Sequence, residues 1–215
     1  MPISPHVPIA LFLFIAETFP DPELSASADI AALVAQAQRG DRGAVATLYQ
    51  LHAQKIFRYV VCRVPTNADA EDLTAEVFVS MVKGLPSYQI TAAPFEAWLY
   101  RIAASRVTDF YRQGRRRLQT GLTESLRDAA PLPEEQILQN QTLDHLRAAL
   151  QQLPEDQQAI LILRFVERKS HEEVAELLGR SVTSVKSAQH RALIRLTELL
   201  GSDHKVRHYL RGSHE

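Results

Sequence analysis

Apolar residues recur at helical spacing through most of this chain, and Gly, Pro and polar clusters interrupt them. From Ile30 to Ala37 the apolar side chains fall at i, i+3, i+4 and i+7, which predicts a helix that begins after Asp29. Three further helices follow before the pattern fades, and Asn67 is the predicted cap of the second of them. Their predicted ranges are 42–64, 67–83 and 95–112, the last with Pro94 in its first turn.

The pattern is lost over residues 113–133, which begin beside three consecutive arginines and end in a Pro-Leu-Pro run. Such a stretch is typical of a flexible linker. Periodicity returns at Glu134, and predicted helices reach Leu153, cover 156–166 and then form a short pair around Gly179. No alternation of the β type is found. The predicted fold class is all-α, with helical domains at 29–112 and 134–200, an N-terminal extension at 1–28 and a tail at 201–215.

Composition agrees with packed helices in a reducing compartment. The chain has 215 residues, 46% of them hydrophobic, and its single cysteine excludes an internal disulfide. Cys62 lies among apolar residues, which favours a buried packing role over redox sensing. The apolar stretch from Ile9 to Ala16 is about half the length of a membrane span. We therefore predict a cytoplasmic protein, whose extension is a disordered arm, a small docking helix or an over-extended start.

The net charge of −1 conceals two basic blocks on either side of an acidic one. Arg101–Arg127 holds seven Arg against two acids, and Arg164–Glu215 holds ten basic residues against seven acids. Between them, Asp128–Leu163 holds six acids against one Arg. This arrangement suits a protein that binds a polyanion at two places, and solvated helix faces are the alternative.

The strongest local signal is a helix start at Ser170-His-Glu-Glu173, which has the form of a capping box. Gly179 supplies a turn after this short helix, and Ser181 is placed to cap the next one. That spacing predicts a helix-turn-helix, although an ordinary helical hairpin with a polar exterior would share it. The second helix carries its polar side chains near its N-terminus, as a recognition helix requires: Thr183, Ser184, Lys186, Ser187, His190 and Arg191.

Two sets of motifs, one in each predicted domain, carry a family resemblance. The downstream set is Leu150-x-x-Leu153-Pro154, Leu163-Arg164, Glu173-Val174-Ala175-x-x-Leu178-Gly179 and Val185-Lys186-Ser187-x-x-x-Arg191-Ala192. The upstream set is Asp69-Ala-Glu-Asp72-Leu73-x-x-Glu76-x-Phe78 and Phe95-x-x-Trp98-Leu99-x-x-Ile102-Ala103. In this order they resemble the fourth and second regions of sigma-70-family factors, and the short extracytoplasmic-function group is the most similar. Arg168-Lys169 replaces the small-residue turn that is usual in that family.

An acidic stripe on the third predicted helix calls for a basic partner. Asp69, Asp72 and Glu76 fall at i, i+3 and i+7 and therefore share one helix face. The resemblance implies that this face, with Glu71 at its margin, docks on the clamp helices of the largest subunit of RNA polymerase. The flap of the polymerase is a further expected contact.

The fourth predicted helix and the loop before it are the expected site of strand opening, because opening DNA needs both cations and stacking surfaces. The resemblance implies that the loop 84–93 captures a flipped base of the -10 element. Trp98 is equally compatible with a core role, and Arg106 and Asp109 are spaced to pair with each other. The predicted -10 and melting residues are Tyr88, Trp98, Arg101, Ser105, Arg106, Arg112, Arg115, Arg116 and Arg117.

The second domain is the expected reader of the -35 element, with Arg side chains on phosphates and bases read between Thr183 and Ser187. A lone His190 without Cys or carboxylate partners is seldom a metal ligand, so no metal site and no cofactor are predicted. The predicted -35 residues are Arg164, Arg180, Ser181, Thr183, Ser184, Lys186, Ser187, His190 and Arg191.

The leading hypothesis is a sigma factor, a dissociable initiation factor without catalytic chemistry. Its predicted partners are core RNA polymerase, promoter DNA and an anti-sigma factor, with no small-molecule substrate. The alternative is an autonomous helix-turn-helix regulator, against which the acidic stripe argues. An enzyme is disfavoured because the sequence has no Gly-rich phosphate loop, no metal-spaced His cluster and no nucleophile motif.

Overall fold

The structure is a computed structural model that describes residues 29–119 and 144–201. All regular elements in these ranges are helical, which confirms the all-α prediction. The expectations for the extension, the tail and most of the linker lie outside the described residues. The first group of helices is α1 (Ile30–Gln38), α2 (Arg42–Val61), α3 (Asn67–Gly84), a 3-10 turn (Leu85–Ser87) and α4 (Phe95–Gln119). The second group is α5 (144–150), α6 (Glu155–Leu161), a π-helical turn (Ile162–Val166), α7 (His171–Leu178) and α8 (Val182–Gly201).

The start of α3 differs from the prediction, because Thr66 and not Asn67 is its cap. The Thr66 hydroxyl accepts from the backbone N–H of Asp69, and the Asp69 carboxylate accepts from the backbone N–H of Thr66. This reciprocal box satisfies two backbone donors at once. The Asn67 side chain accepts instead from Arg147, a residue 80 positions away.

The fourth helix continues to Gln119, seven residues beyond the predicted end at Arg112. No Pro interrupts this stretch, and Arg, Gln and Leu are good helix formers. Gly114 is a weak helix former, and no contact requires a glycine there, since a Cβ would meet nothing within 4 Å. The backbone of Arg115–Arg117 therefore belongs to a helix and not to a linker, while the side chains of these three residues lie outside the described set.

A buried apolar cluster holds the first group together. Leu48 of α2, Val77 of α3 and Leu99 of α4 are each 0% exposed, so the three helices share one core. Cys62 is also 0% exposed, and burial raises the pKa of its thiol to about 12. A thiol that stays protonated and buried is unreactive, in agreement with the packing role predicted for it.

The helix-turn-helix of the second group follows from local sequence. The capping box between Ser170 and Glu173 is formed as predicted, with both reciprocal hydrogen bonds present. Gly179 ends α7 in the left-handed conformation at φ 63°, which a residue without Cβ adopts at little cost. The Ser181 hydroxyl then accepts from the backbone N–H of Ser184 at 3.2 Å, which caps α8.

The two groups of helices pack against each other through a seam of buried arginines, defined by Arg58, Arg63 and Arg147. Arg58 donates to both carboxylate oxygens of Glu167 at 2.8 and 2.7 Å, and both side chains are 2% exposed. Arg63 donates to the Gln158 side chain at 3.1 Å. Arg147 donates to the carbonyl that ends α2, at Val61, at 2.6 Å. Each of these cations donates at least one hydrogen bond to the other group of helices.

Candidate nucleic-acid and polymerase interfaces

The outward face of α8 gathers the polar residues predicted to read DNA. Val185, Ala188 and Ala192 are buried against the rest of the second group, and most of the other residues in the first three turns are exposed. Because the exposed residues predicted to read DNA lie in the first half of the helix, its N-terminal end is the part best suited to enter a groove. The exposed predicted residues are Ser181, Thr183, Ser184, Lys186, Ser187, His190 and Arg191.

Two of the predicted -35 cations are engaged by protein partners. Arg164 is half-buried and donates to the carbonyl of Lys169 and, at 3.2 Å, to the side chain of Gln189. Arg180 forms an ion pair of 2.9 Å with Asp156. Gln189 also contacts His171 at 3.0 Å and so links α8 to the start of α7. This role of Gln189 was not predicted, because a single glutamine on a helix belongs to no recognisable motif.

A cleft of about 720 Å³ lies where the loop after α3 meets α4. It brings together residues that are separated in sequence by up to 26 positions, and it has both aromatic rings and cations in its lining. Stacking surfaces beside cations are what an unstacked base requires. The predicted residues that line it are Tyr88, Trp98, Arg101, Ser105 and Arg106.

Trp98 serves both as packing and as cleft wall. Its ring lies 4.5 Å from the Tyr88 ring at an interplanar angle of 32° and 5.5 Å from the Phe95 ring. Gly84 backs the indole so closely that a Cβ there would come within 2.9 Å of Trp98 Cζ2. Only glycine therefore allows this ring position, although the sequence pattern indicated no more than a loop at Gly84.

The charged residues along α4 pair differently from the predicted Arg106–Asp109 contact. Arg106 donates to the hydroxyl of Ser80 on α3 at 2.8 Å, which fixes one wall of the cleft. Asp109 pairs with Arg112 at 3.0 Å. Arg101 is exposed and lines the cleft, and the Arg112 side chain is 66% exposed.

The acidic stripe on α3 is exposed except at its first residue. Asp72, Glu76 and the marginal Glu71 face solvent, whereas Asp69 is half-buried and holds the capping box. Beside the stripe lies an apolar groove of about 870 Å³ between α2 and α3. Its most exposed apolar side chains are Tyr49, Val79 and Val82, at 49%, 52% and 47%. This groove was not predicted, although exposed apolar residues beside a charged rim are typical of protein interfaces.

Glu96 lies at the boundary between the two groups of helices and holds charges from both. Burial works to raise the pKa of its carboxyl, but His52, Lys55 and Lys169 outweigh that effect and hold the pKa well below its ordinary value. Lys55 is the closest cation at 2.8 Å, Lys169 is 3.3 Å away, and His52 at 3.6 Å is beyond hydrogen-bond length.

Residues 29–119 and 144–201 show neither a metal centre nor a membrane span. No cluster of three or more His, Cys, Asp or Glu side chains in these ranges has the geometry to hold a metal ion. No helix described there is long and apolar enough to cross a bilayer.

Comparison with known proteins identifies relatives along most of the chain. The family "Sigma-70 region 2" matches residues 48–117, and "Sigma-70, region 4" matches residues 143–196. The ECF RNA polymerase sigma factor BldN of Streptomyces coelicolor is 33% identical over 181 residues, which are 83% of this chain and 69% of that protein. The ECF RNA polymerase sigma factor SigD of Mycobacterium tuberculosis is 36% identical over 173 residues, 78% of this chain and 82% of that protein.

A solved structure shows the same fold. CnrH, in complex with the cytosolic domain of CnrY, aligns with a TM-score of 0.60 and 25% identity. The alignment covers 80% of this chain and 97% of CnrH. Both groups of helices therefore have counterparts in one known protein.

Proposed function

The chain belongs to the extracytoplasmic-function group of sigma-70-family RNA polymerase sigma factors, and we propose that its three exposed surfaces divide the work of that function. The protein directs RNA polymerase to promoters. The first domain is assigned residues 29–112, with α4 continuing beyond it to Gln119, and the second is assigned residues 134–200.

The face of α8 reads the -35 element in the major groove. Lys186 and Arg191 are exposed cations on the half of the helix that enters first, and either is able to donate to phosphate or to guanine. The hydroxyls of Thr183, Ser184 and Ser187 are exposed on the same half of the helix and suit base edges. Ser181, Arg180 and His190 border this face. Arg164 supports it from behind by holding Gln189.

The cleft between the loop 84–93 and α4 takes an unstacked base of the -10 element. The stacked rings of Tyr88 and Trp98 offer a base an aromatic surface, and the exposed Arg101 lies at the mouth, where the backbone would pass. Ser105 and Arg106 supply polar groups to the wall. The cationic continuation of this path is formed by Arg112, Arg115, Arg116 and Arg117.

The acidic stripe and the apolar groove beside it dock on the clamp helices of the polymerase's largest subunit. Asp72, Glu76 and Glu71 provide the charge, while Asp69 mainly fixes the start of the helix that carries them. The groove lined by Tyr49, Val79 and Val82 provides apolar surface that can be buried against the partner. Charged side chains alone do not provide such surface. The second domain meets the flap of the polymerase.

An anti-sigma factor is the expected regulator. CnrH was solved with the cytosolic domain of CnrY, and this chain shares its fold over 80% of its length. The apolar groove between α2 and α3 is the surface that such a partner and the polymerase would compete for.

The protein acts in the cytoplasm as a non-catalytic factor, without a cofactor or a small-molecule substrate. The autonomous helix-turn-helix regulator is not favoured, because both sigma regions match in order and the acidic stripe has no role in operator binding. The observation that carries the proposal is this combination of a reading helix, an aromatic cleft and an acidic docking face in one chain.

Reconstituted transcription tests the division of work. With core RNA polymerase, the wild-type protein should produce defined start sites, and neither component should do so alone. The double variant Asp72→Lys, Glu76→Lys should lose core binding at least tenfold while it keeps its fold, because the reversed charges repel basic partner residues. Glu172→Lys, a charge reversal at an exposed residue of α7, is the control. Equal core affinity for the double variant and the wild type would contradict the docking assignment.

A further inference from the structure

The last residue of α1 reaches across to the loop that forms the cleft. Gln38 Nε2 donates to the backbone carbonyl of Leu85 at 3.0 Å and to that of Tyr88 at 2.6 Å. Gln38 is half-buried, and these partners lie 47 and 50 residues away in the chain. The side chain thus joins the first helix to both ends of the 3-10 turn that opens the loop.

The two acceptors are carbonyls that can each accept a hydrogen bond beyond those made within the turn. Leu85 O also accepts from the backbone N–H of Tyr88 at 3.1 Å, which closes the turn. A carbonyl oxygen has two lone pairs, and the end of a short 3-10 turn leaves carbonyls without helical partners. Because an amide NH₂ carries two donors, one Gln38 side chain satisfies both carbonyls and fixes their separation.

The position of the loop backbone decides where the aromatic wall of the cleft stands. Tyr88 is the residue whose carbonyl Gln38 holds, and its ring stacks on Trp98 at 4.5 Å. Gly84, directly before the turn, sits against the same indole. A shift of this turn therefore moves one wall of the cleft relative to Arg101 on the other.

We propose that Gln38 is a positioning residue for -10 recognition, which acts through the loop 84–93 and does not itself touch DNA. This role rests on the proposed function of the cleft as the site for an unstacked base. Binding sites held by packed residues and hydrogen bonds from behind keep the geometry that recognition requires. Loss of the two hydrogen bonds should weaken base selection at the -10 element and leave the other surfaces intact.

The hydrogen-bonding chemistry of Gln38 predicts an order of activity for substitutions at this position. Gln38→Met keeps the length of the side chain and removes both donors. Gln38→Glu places carboxylate oxygens against two carbonyl oxygens, which is repulsive and should be the most damaging. Gln38→Lys keeps a donor at similar reach and should recover part of the function. The expected order of activity is wild type, Lys, Met and then Glu.

The test crosses protein variants with promoter variants in a reconstituted holoenzyme. On the mapped promoter, Gln38→Met should slow strand opening about tenfold, the change that 1.4 kcal/mol produces. On promoters with a substituted -10 base, the difference in opening rate between the wild type and Gln38→Met should be smaller. The reason is that the cleft of the wild type no longer recognises its base on these promoters. Such non-additivity is the signature of two groups that act in one contact. Substitutions in the -35 element should be additive with every Gln38 variant.

Gln50→Met is the matched control, since Gln50 is an exposed glutamine on α2. It should open all promoters at the wild-type rate. Core binding and thermal midpoint should also stay at wild-type values for Gln38→Lys, so that a role in the cleft is separated from a role in folding.

Additive losses for Gln38→Met at the -10 and -35 elements alike would overturn the proposal, as would wild-type base selection in that variant. A different result, wild-type protein that opens promoters without regard to the -10 sequence, would refute the function of the cleft and this role with it. The two failures are distinguishable because the second appears without any Gln38 substitution.

Discussion

The arginines of the seam and the cations of α8 have the same charge and opposite surroundings. Arg58 is 2% exposed and bound to a carboxylate of the other group of helices, whereas Lys186 and Arg191 face solvent. A buried cation that loses its partner costs folding free energy, while an exposed one is free to bind a polyanion. The comparison shows that the role of a basic residue in this protein is set by burial and partner, and not by the local charge sum.

The largest expected effect comes from Arg58→Met. It takes the Arg58 cation away from the buried Glu167 carboxylate, which should lower the free energy of unfolding by about 3 to 5 kcal/mol. Urea unfolding of the purified chain measures this. The double variant Arg58→Met, Glu167→Leu should recover most of the loss, because an apolar pair leaves neither charge buried. A single variant within about 1 kcal/mol of the wild type would show that the seam is not a stabilising contact.

The next effect concerns Glu96, which extends the seam with cations from both groups of helices. Its folded pKa lies below the ordinary value of 4.5, so its contribution to stability is present above that pH and is lost as the pH falls toward the folded pKa. Glu96→Gln should cost about 2 kcal/mol at pH 7, in the range for hydrogen bonds to charged groups. As the pH is lowered from 7 to 3, the unfolding midpoints of the wild type and Glu96→Gln should converge. A constant difference between the two midpoints over this range would contradict the prediction.

Substitution of the exposed cations of α8 should weaken promoter binding without lowering the free energy of unfolding. Lys186→Ala with Arg191→Ala should change the free energy of unfolding by less than about 0.5 kcal/mol. Holoenzyme affinity for the promoter should fall about tenfold, and the slope of log affinity against log salt should flatten by about one for each phosphate that the protein no longer neutralises. Filter binding across a salt series measures both. An unchanged slope would mean that these cations do not face phosphate.

The smallest effect is expected at Arg168, the exposed residue that follows Glu167 of the seam. Its φ of 53° is in the left-handed region that penalises a side chain. Arg168→Gly removes this strain but adds freedom to the unfolded chain, so a net gain of about 0.5 kcal/mol is expected. Thermal unfolding measures it, with no change in promoter affinity expected, and a loss of stability would show that the side chain makes a compensating contact.

Local signals in the sequence were sufficient for the helix-turn-helix. The capping box at Ser170 and Glu173 depends only on residues close in sequence, and so does the left-handed Gly179. Such local features can be predicted from the sequence pattern. The cap of α3 was misassigned because Thr66 and Asn67 are both good cap residues and a distant Arg147 binds the second. A local signal also favours Thr66, because Thr66 and Asp69 form a capping box with the same spacing as Ser170 and Glu173.

The seam and the support of the cleft could not be predicted, because the residues that form them are far apart in the sequence. Arg58 stands on α2 and Arg63 lies in the turn after it, and their partners are 109 and 95 residues away. Gln38 belongs to no motif, and its two acceptors are backbone carbonyls that any sequence would supply. Sequence predicted which residues face the cleft, but not what holds it in place.

Permanganate and nuclease footprinting of reconstituted holoenzyme on one mapped promoter tests the central claim most directly, because it reads both surfaces in the same sample. The Lys186→Ala, Arg191→Ala variant should lose protection at the -35 element, and Trp98→Ala with Arg101→Ala should lose reactive thymines at the -10 element while -35 protection persists. Loss of both footprints together in each variant, or no footprint for wild-type protein with core polymerase, would contradict the division of promoter recognition between α8 and the cleft.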